Sequence, residues 1–314
     1  MTNESGHQLT DFIKDLTESV YYRTAEKAKF AAMPAGAQTW LTARSTGLGN
    51  WFARSTRLEF DSDLFGLEEA RIEPLLVPAY FGQLTDDVLE QAREFTTAIV
   101  NDAVDHNVDH LTAPAKSANS FAAIVLQHGG FIMSDTILVF GMDLAMHAGD
   151  ARCDAIRPAR QDDIDVLEDI SAACFTTRRF NANRFNSDKS FQPRAVESLY
   201  RQWVTKCVQG MLADEVIVYT VADKPVGYIA LSITRLAEGE ALGTIPLNAV
   251  APEHHGQGVY TALARAAVER LRELGAGSVE IRTQLSNFAV HRTWQRLGAI
   301  IVDAYHTFHY PLIR

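Results

Sequence analysis

The sequence predicts an α+β chain of two related halves behind a helical N-terminal extension. Three observations predict it. Helical and strand periodicities alternate from Leu58 to the end of the chain. Two segments match when Gly130 is laid on Gly298, an offset of 168 (298 − 130 = 168): Asn119 meets Asn287, Gln127 meets Gln295, Asp135 meets Asp303 and Phe140 meets Phe308. The stretch VAPEHHGQGVYTAL, a strand running through a glycine turn into a helix, stands in the second half alone.

Taken in order, residues 1–50 form the extension. LTDFIKDLTESVYYRTAEKAKFAA has helical periodicity, with Thr10 or Asp11 as its cap and Pro34 and Gly36 as its stop. STGLGN reads as a loop. Residues 51–150 form the first half. LEFDSDLFGLEEARIEPLLV reads as strand, turn and strand. TDDVLEQAREFTTAIVNDAVDHN is an amphipathic helix, with Val88, Leu89, Ala92, Phe95, Ile99 and Val100 at helical spacing. DHLTAP is a strand. SANSFAAIVLQHG is a helix capped by Ser117 or Asn119 and closed by Gly129 and Gly130, and FIMSDTILVFGM is a strand.

Residues 151–314 form the second half. AIRPA is a strand, QDDIDVLEDISAACF a helix, and VESLYRQWVTKCVQG a further helix after a polar and aromatic segment. EVIVYTVADKPVGYIALSITR is a hairpin turning at Asp223–Pro225. EALGTIPLNAVAP is a strand leading into the glycine turn. Beyond the turn's helix come the strand GSVEIRTQL, the helix NFAVHRTWQRLG and the strand AIIVDAYHTFHYPL.

A length of 314 residues suits two domains of about 100–200 residues each. Twenty-nine basic against 39 acidic side chains give a net charge of −10, which argues against a nucleic-acid partner. Backbone N–H groups can still bind a phosphate. Cys153, Cys174 and Cys207 are widely spaced and form neither a disulfide framework nor a metal spacing. With no signal-peptide core and no run near about 18 apolar residues, the expectation is a cytoplasmic protein with no membrane partner. A homodimer is left open.

Glycine at 256 and 258 permits positive φ and lets a phosphate approach the backbone at a helix N-terminus. An ordinary tight loop would look the same. No Gly-x4-Gly-Lys-Ser/Thr loop is present, and Thr261 stands where a dinucleotide fingerprint needs its third glycine. His254 and His255 are neighbours whose side chains diverge, so no metal site is expected.

V-x-P-E-x-x-G-x-G-V-Y-x-x-L followed by SVEIRTQLSNFAVHRTWQRLGA resembles the acetyl-CoA core of the GNAT superfamily of N-acetyltransferases. LEFDSDLFG, TTRRFNANRF with LYRQWV, TQLSN and HTFHY resemble one branch of it, TDP-fucosamine acetyltransferase and related sugar-nucleotide N-acetyltransferases. The resemblance covers roughly residues 58–314. It implies a C-terminal GNAT fold, a mixed and mostly antiparallel sheet flanked by helices, after a degenerate GNAT-like half that lacks the pyrophosphate loop. It implies acetyl-CoA as co-substrate, no metal, and a small-molecule amine as acceptor, a nucleotide-linked amino sugar. The alternatives are an acyl-CoA-binding module that has lost catalysis, or the same chemistry on another amine.

By the same resemblance, His255, Gly256, Gln257, Gly258, Val259, Tyr260 and Thr261 cradle the diphosphate. Asn248, Ala249 and Val250 end a splayed strand along the pantetheine, with the Val250 N–H at the thioester carbonyl. Asn287 contacts the CoA arm or caps its helix. The superfamily often carries a Tyr acid four residues before the Gly, and here that position is Trp294. Indole N–H is not an acid near neutral pH. Trp294 therefore reads as packing, and either the thiolate leaves without a side-chain acid or His291, Tyr260 or Tyr305 is the proton donor. Arg178, Arg179 and Arg184 with Phe180 and Phe185 suit the phosphates and base of a sugar nucleotide, or form a solvated loop. Gln284 lies near the family's acceptor, and Asp61, Asp63 or Glu68 could meet the amine if the halves close around it.

Overall fold

The computed structural model describes residues 38–78, 80, 82–146, 153–176, 185, 191–236 and 240–312. Among them, twelve strands join in one sheet with seven α-helices on its two faces. The first half supplies β1 (Thr39–Thr46), β2 (Gly49–Arg57), α1 (Glu59–Phe65), β3 (Glu69–Leu76), α2 (Asp86–Asp105), β4 (His110–Lys116), α3 (Ser120–His128) and β5 (Ile132–Asp143). The second supplies β6 (Ile156–Pro158), α4 (Ile164–Phe175), α5 (Pro193–Val208), β7 (Glu215–Val221) and β8 (Lys224–Arg235). It continues through β9 (Ala241–Thr244), β10 (Asn248–Val250), α6 (Val259–Glu273), β11 (Ser278–Gln284), α7 (Phe288–Arg296) and β12 (Ile300–Pro311).

The 168-residue offset reappears in three dimensions. β4, α3 and β5 carried forward by 168 give the bounds of β11, α7 and β12. The two halves also exchange their last strands. The order runs β1-β2-β3-β4-β12-β5-β11-β9-β8-β7-β6, so β12 lies against β4 and β5 against β11. At the seam Tyr305 pairs with Ile137, its own repeat equivalent. Asp303 pairs with Val139 and Thr307 with Asp135, which is the same pairing read from either half. Register shifts fall at Val302 and at Ser134, again equivalent positions. A local twofold axis therefore passes between Ile137 and Tyr305, perpendicular to the sheet.

Such an axis keeps like faces together. One face carries α2 and α3 over Trp51, Phe95, Phe121, Leu126 and Phe308, and α6 and α7 over Phe140, Leu263, Ile281 and Trp294. The other carries α4 and α5 over Val218, Tyr228 and Ala249, with Phe60, Leu64 and Phe65 of α1 packed against them.

Several expectations are corrected. LEFDSDLF is helical in α1 and not a strand. Glu59 and Asp61 sit in its first turn, where acids oppose the dipole, and Gly66 closes it at φ 62. Phe60 and Leu64, four residues apart, bury one side. The stretch 1–50 is not all extension: β1 and the start of β2 lie within it, and the boundary drawn at 51 falls inside β2. STGLGN is accordingly two strand ends about a two-residue turn, with Ser45 paired to Asn50. The helical reading of LTDFIKDLTESVYYRTAEKAKFAA and the 150/151 boundary lie outside the described residues. The β7–β8 hairpin turns one residue earlier than expected, at Ala222 and Asp223, both with positive φ as a tight primed turn requires.

Candidate active site

EALGTIPLNAVAP forms two strands where one was expected. β9 pairs with β8 on one side and, in parallel, with β11 on the other, Thr244 facing Glu280. Pro246 follows, and a residue without an N–H cannot continue a ladder. β10 then keeps β8 alone, Asn248 opposite Ile229 and Val250 opposite Gly227. β11 runs on to Gln284 along β5. The sheet is thus parted between β10 and the end of β11.

The ladder tells which groups face the opening. Ala230 N donates to Leu247 O and Ala251 N to Val226 O, both at 2.8 Å. Antiparallel alternation then turns Ala249 toward β8 and the backbones of Asn248 and Val250 toward the gap. The carbonyl of Val250 accepts from Cys174 Sγ at 3.1 Å and from His255 Nε2 at 2.7 Å.

A short turn, Pro252–His254, carries the chain to His255, Gly256, Gln257 and Gly258. Gly256 has φ 75 and Gly258 φ 82. A Cβ at either would meet no atom within 4 Å, so backbone conformation calls for glycine here, in open space. Gln257 Nε2 donates to Glu253 O at 2.9 Å and holds the loop. Gly258 caps α6 without a side chain, so the first-turn amides of Val259, Tyr260 and Thr261 have no acceptor within the helix. The equivalent helix of the first half is closed to an anion. Thr85 Oγ1 accepts from Val88 N at 3.4 Å, and Asp86 and Asp87 oppose the dipole.

The histidines part company, as neighbours do. His255 is turned back to Val250 O, while His254 Nδ1 lies 3.3 Å from Gln257 Oε1. Among the described residues no group of His, Cys, Asp and Glu could hold a metal ion. No helix among them is long and apolar enough to cross a membrane.

The three proton-donor candidates are not brought together. Trp294 is fully buried, and its Nε1 donates to Tyr260 Oη at 3.0 Å. Burial pushes the Tyr260 phenol upward, against the indole's hydrogen bond. His291 gives its Nε2–H to Gln284 O at 2.9 Å. Tyr305 lies on the opposite face of the sheet, since its partner Ile137 shares a face with Gln284 and not with Ile281. Its phenol is raised by burial, with Arg282 5.8 Å from the ring centroid opposing the shift.

Asn287 heads α7 but caps nothing with its side chain, whereas Asn119, its equivalent, accepts from Ala122 N at 3.2 Å. Glu68 is taken up by Arg57, whose Nε lies 2.6 Å away. Arg178, Arg179, Phe180 and Arg184 lie outside the described residues. The sequence reading missed Asp135, whose Oδ2 accepts from Gln284 Nε2 at 2.6 Å. Its signal was present as the Asp135–Asp303 match. Only the strand exchange shows that this acid belongs beside the other half's Gln284.

Parted parallel strands feeding a glycine turn at a helix N-terminus, in a mixed sheet, define the GNAT acetyltransferase fold. Residues 172–299, from α4 through the turn to the end of α7, match the model of the Acetyltransferase (GNAT) family. Among solved structures, the chain resembles a tandem GNAT protein from the clavulanic acid biosynthesis pathway. The TM-score is 0.58 at 16% identity, over 100% of this chain and 96% of that one. It also resembles a GCN5-related N-acetyltransferase from Kribbella flavida, with a TM-score of 0.56 at 12% identity over 91% and 94%. A functionally unknown conserved protein from Staphylococcus epidermidis gives a TM-score of 0.57 at 12% identity over 92% and 100%. No curated protein matches the sequence. The tandem relative shares the two-half architecture.

Proposed function

We propose that this chain transfers the acetyl group of acetyl-CoA to the amine of a small molecule, with a nucleotide-linked amino sugar as the acceptor class. The observation that supports it is the parting of β10 from β11 immediately before the open turn at Gly256–Gly258. The residues fit the co-substrate. The turn and the first-turn amides of α6 suit its diphosphate, and the gap-facing backbones of Asn248 and Val250 suit a pantetheine arm and thioester carbonyl. Asn287, unused as a cap, has its side chain available to that arm. Bound acetyl-CoA supplies an activated acyl group, and the chain's part is to orient it and manage two protons.

Trp294 has no acidic proton, but its N–H ends on Tyr260 Oη and leaves the phenolic hydrogen to donate. In this reading Tyr260 takes over the role of proton source to the thiolate. The sugar-nucleotide assignment rests on sequence resemblance in α1 and in the segment after α4. The three cysteines, none of them in a disulfide, fit a reducing, cytoplasmic setting.

Trp294 favours a second reading, an acyl-CoA-binding module without turnover. Incubation with acetyl-CoA and a panel of amino-sugar nucleotides, followed by free-thiol release, separates the two. Release with an amine supports the transferase; tight CoA binding with release by none supports the module.

A further inference from the structure

We propose that Asp135 takes the proton of the acceptor amine, so that the half without the glycine turn supplies the acceptor side of the site. The reaction it serves rests on the acetyltransferase reading; its placement rests on the strand exchange. Gln284, the last residue of β11, pairs with Ile137 of β5. Register partners share a face, and so do residues two apart on a strand. Asp135 therefore projects on the Gln284 face, just beyond the end of β11, where that strand has parted from β10.

The carboxylate is positioned but not saturated. Gln284 Nε2 donates to Oδ2 at 2.6 Å and Thr136 N to Oδ1 at 2.7 Å, which leaves each oxygen a further lone pair. Leu285 N donates to Thr136 O at 2.7 Å and fixes the chain on either side. Asp135 faces Thr307 across β12. The ionisable groups sharing this face on β11, β12 and β4 are Glu280, Arg282, Asp303, Tyr305, His309, Lys116 and His110, by the strand registers. Arg282 Nε is hydrogen-bonded to Glu280 Oε1 at 2.5 Å. Among the described residues no cation forms an ion pair with Asp135.

A half-buried carboxylate without a cation is pulled up in pKa. Desolvation outweighs the two hydrogen bonds and carries Asp135 to about 6. An ammonium group is the ligand that offsets such desolvation, and a carboxyl in this range is ionised yet basic enough to accept its proton. The repeat supplies a contrast. Where Gln284 stands beside Asp135, the equivalent position on β4 is Lys116, a built-in cation on the face of Asp303.

The proton step balances. Asp135 takes one proton from R–NH3+, and the freed lone pair forms the N–C bond as the C–S bond breaks. The nitrogen's second proton balances the thiolate. The products are the amide, the free thiol and one proton on Asp135, released to solvent.

The test uses full-length protein labelled with 13C at aspartate Cγ, with Asp135 assigned from Asp135→Asn. Its midpoint is followed by NMR with saturating CoA, alone and with ethanolamine, glucosamine or a thymidine diphosphate amino sugar. N-acetylglucosamine is the uncharged control. The expected midpoint is about 6, lowered by at least one amine and unmoved by the control. A midpoint near that of a free carboxylate, or one that no amine lowers, overturns the proposal. With any amine that releases thiol, Asp135→Asn should lower kcat/KM ~100-fold and abolish the limb set by Asp135, with CoA affinity unchanged. A limb that survives in Asp135→Asn also overturns it. Failure of the wild-type protein to bind CoA would instead remove the acetyltransferase reading, and the amine titration of Asp135 would still decide its role.

Discussion

At Asp135 the cost of a functional position should be visible in stability. Its folded pKa lies above the unfolded value of 3.8, so the folded state binds more protons between roughly pH 4 and 6, and stability falls as pH rises through that window. Above it the ionised carboxylate destabilises the fold. Asp135→Asn should therefore be more stable than wild type at neutral pH by about 1 kcal/mol, after allowance for partial exposure. The difference should vanish below about pH 4, as paired urea titrations would show. Tyr260 predicts the opposite balance. Tyr260→Phe leaves the Trp294 N–H buried without its acceptor, at a cost of about 1–3 kcal/mol. If the phenol protonates the thiolate, kcat should also fall by ~100-fold while CoA affinity holds. Unaltered thiol release in a folded Tyr260→Phe protein would remove Tyr260 from that role. Neither residue's place was legible from spacing. The Trp294–Tyr260 bond joins two helices, and the Asp135–Gln284 bond joins two halves.

The elements tell apart a cap that stabilises from one released for other use. Asn119→Ala should cost about 1 kcal/mol, because α3 loses a side-chain acceptor at its start. Asn287→Ala, with no such bond to lose, should change the melting temperature little and raise the dissociation constant for CoA. Equal destabilisation by the two would deny the distinction. Gly258→Val forces a β-branched residue to φ 82 and should abolish CoA binding by calorimetry. Retained affinity would sink the cofactor assignment. Helices were the legible elements, since α2 and α3 show their buried stripe and cap in sequence. α1 was misread because seven residues give too short a period. The break between β9 and β10 was hidden because Leu247, Ala249 and Ala251 keep an apolar strand pattern past Pro246.

At the scale of the molecule, β5 is indispensable to the second half. Both its neighbours, β11 and β12, belong to residues beyond 153. A fragment of residues 153–314 alone would leave β11 with one bare edge and β12 with two, which pair with whatever offers itself. It should dimerise or aggregate by light scattering, and a well-behaved monomer that binds CoA would contradict the exchange. The repeat itself was readable, because Gly130, Asn119 and Asp135 recur at one offset. The exchange was not, since no local pattern says which β-edge a strand will choose.

The axis between Ile137 and Tyr305 has a historical consequence. It is the mark that fusing two copies of a half-length gene would leave, the ancestral product having closed the same sheet by symmetric self-assembly. Of the two copies only the second carries the glycine turn at Gly256 and Gly258. The first copy's α2 begins instead at Thr85, Asp86 and Asp87, while its last strand, β5, lies between β12 and β11 of its sister.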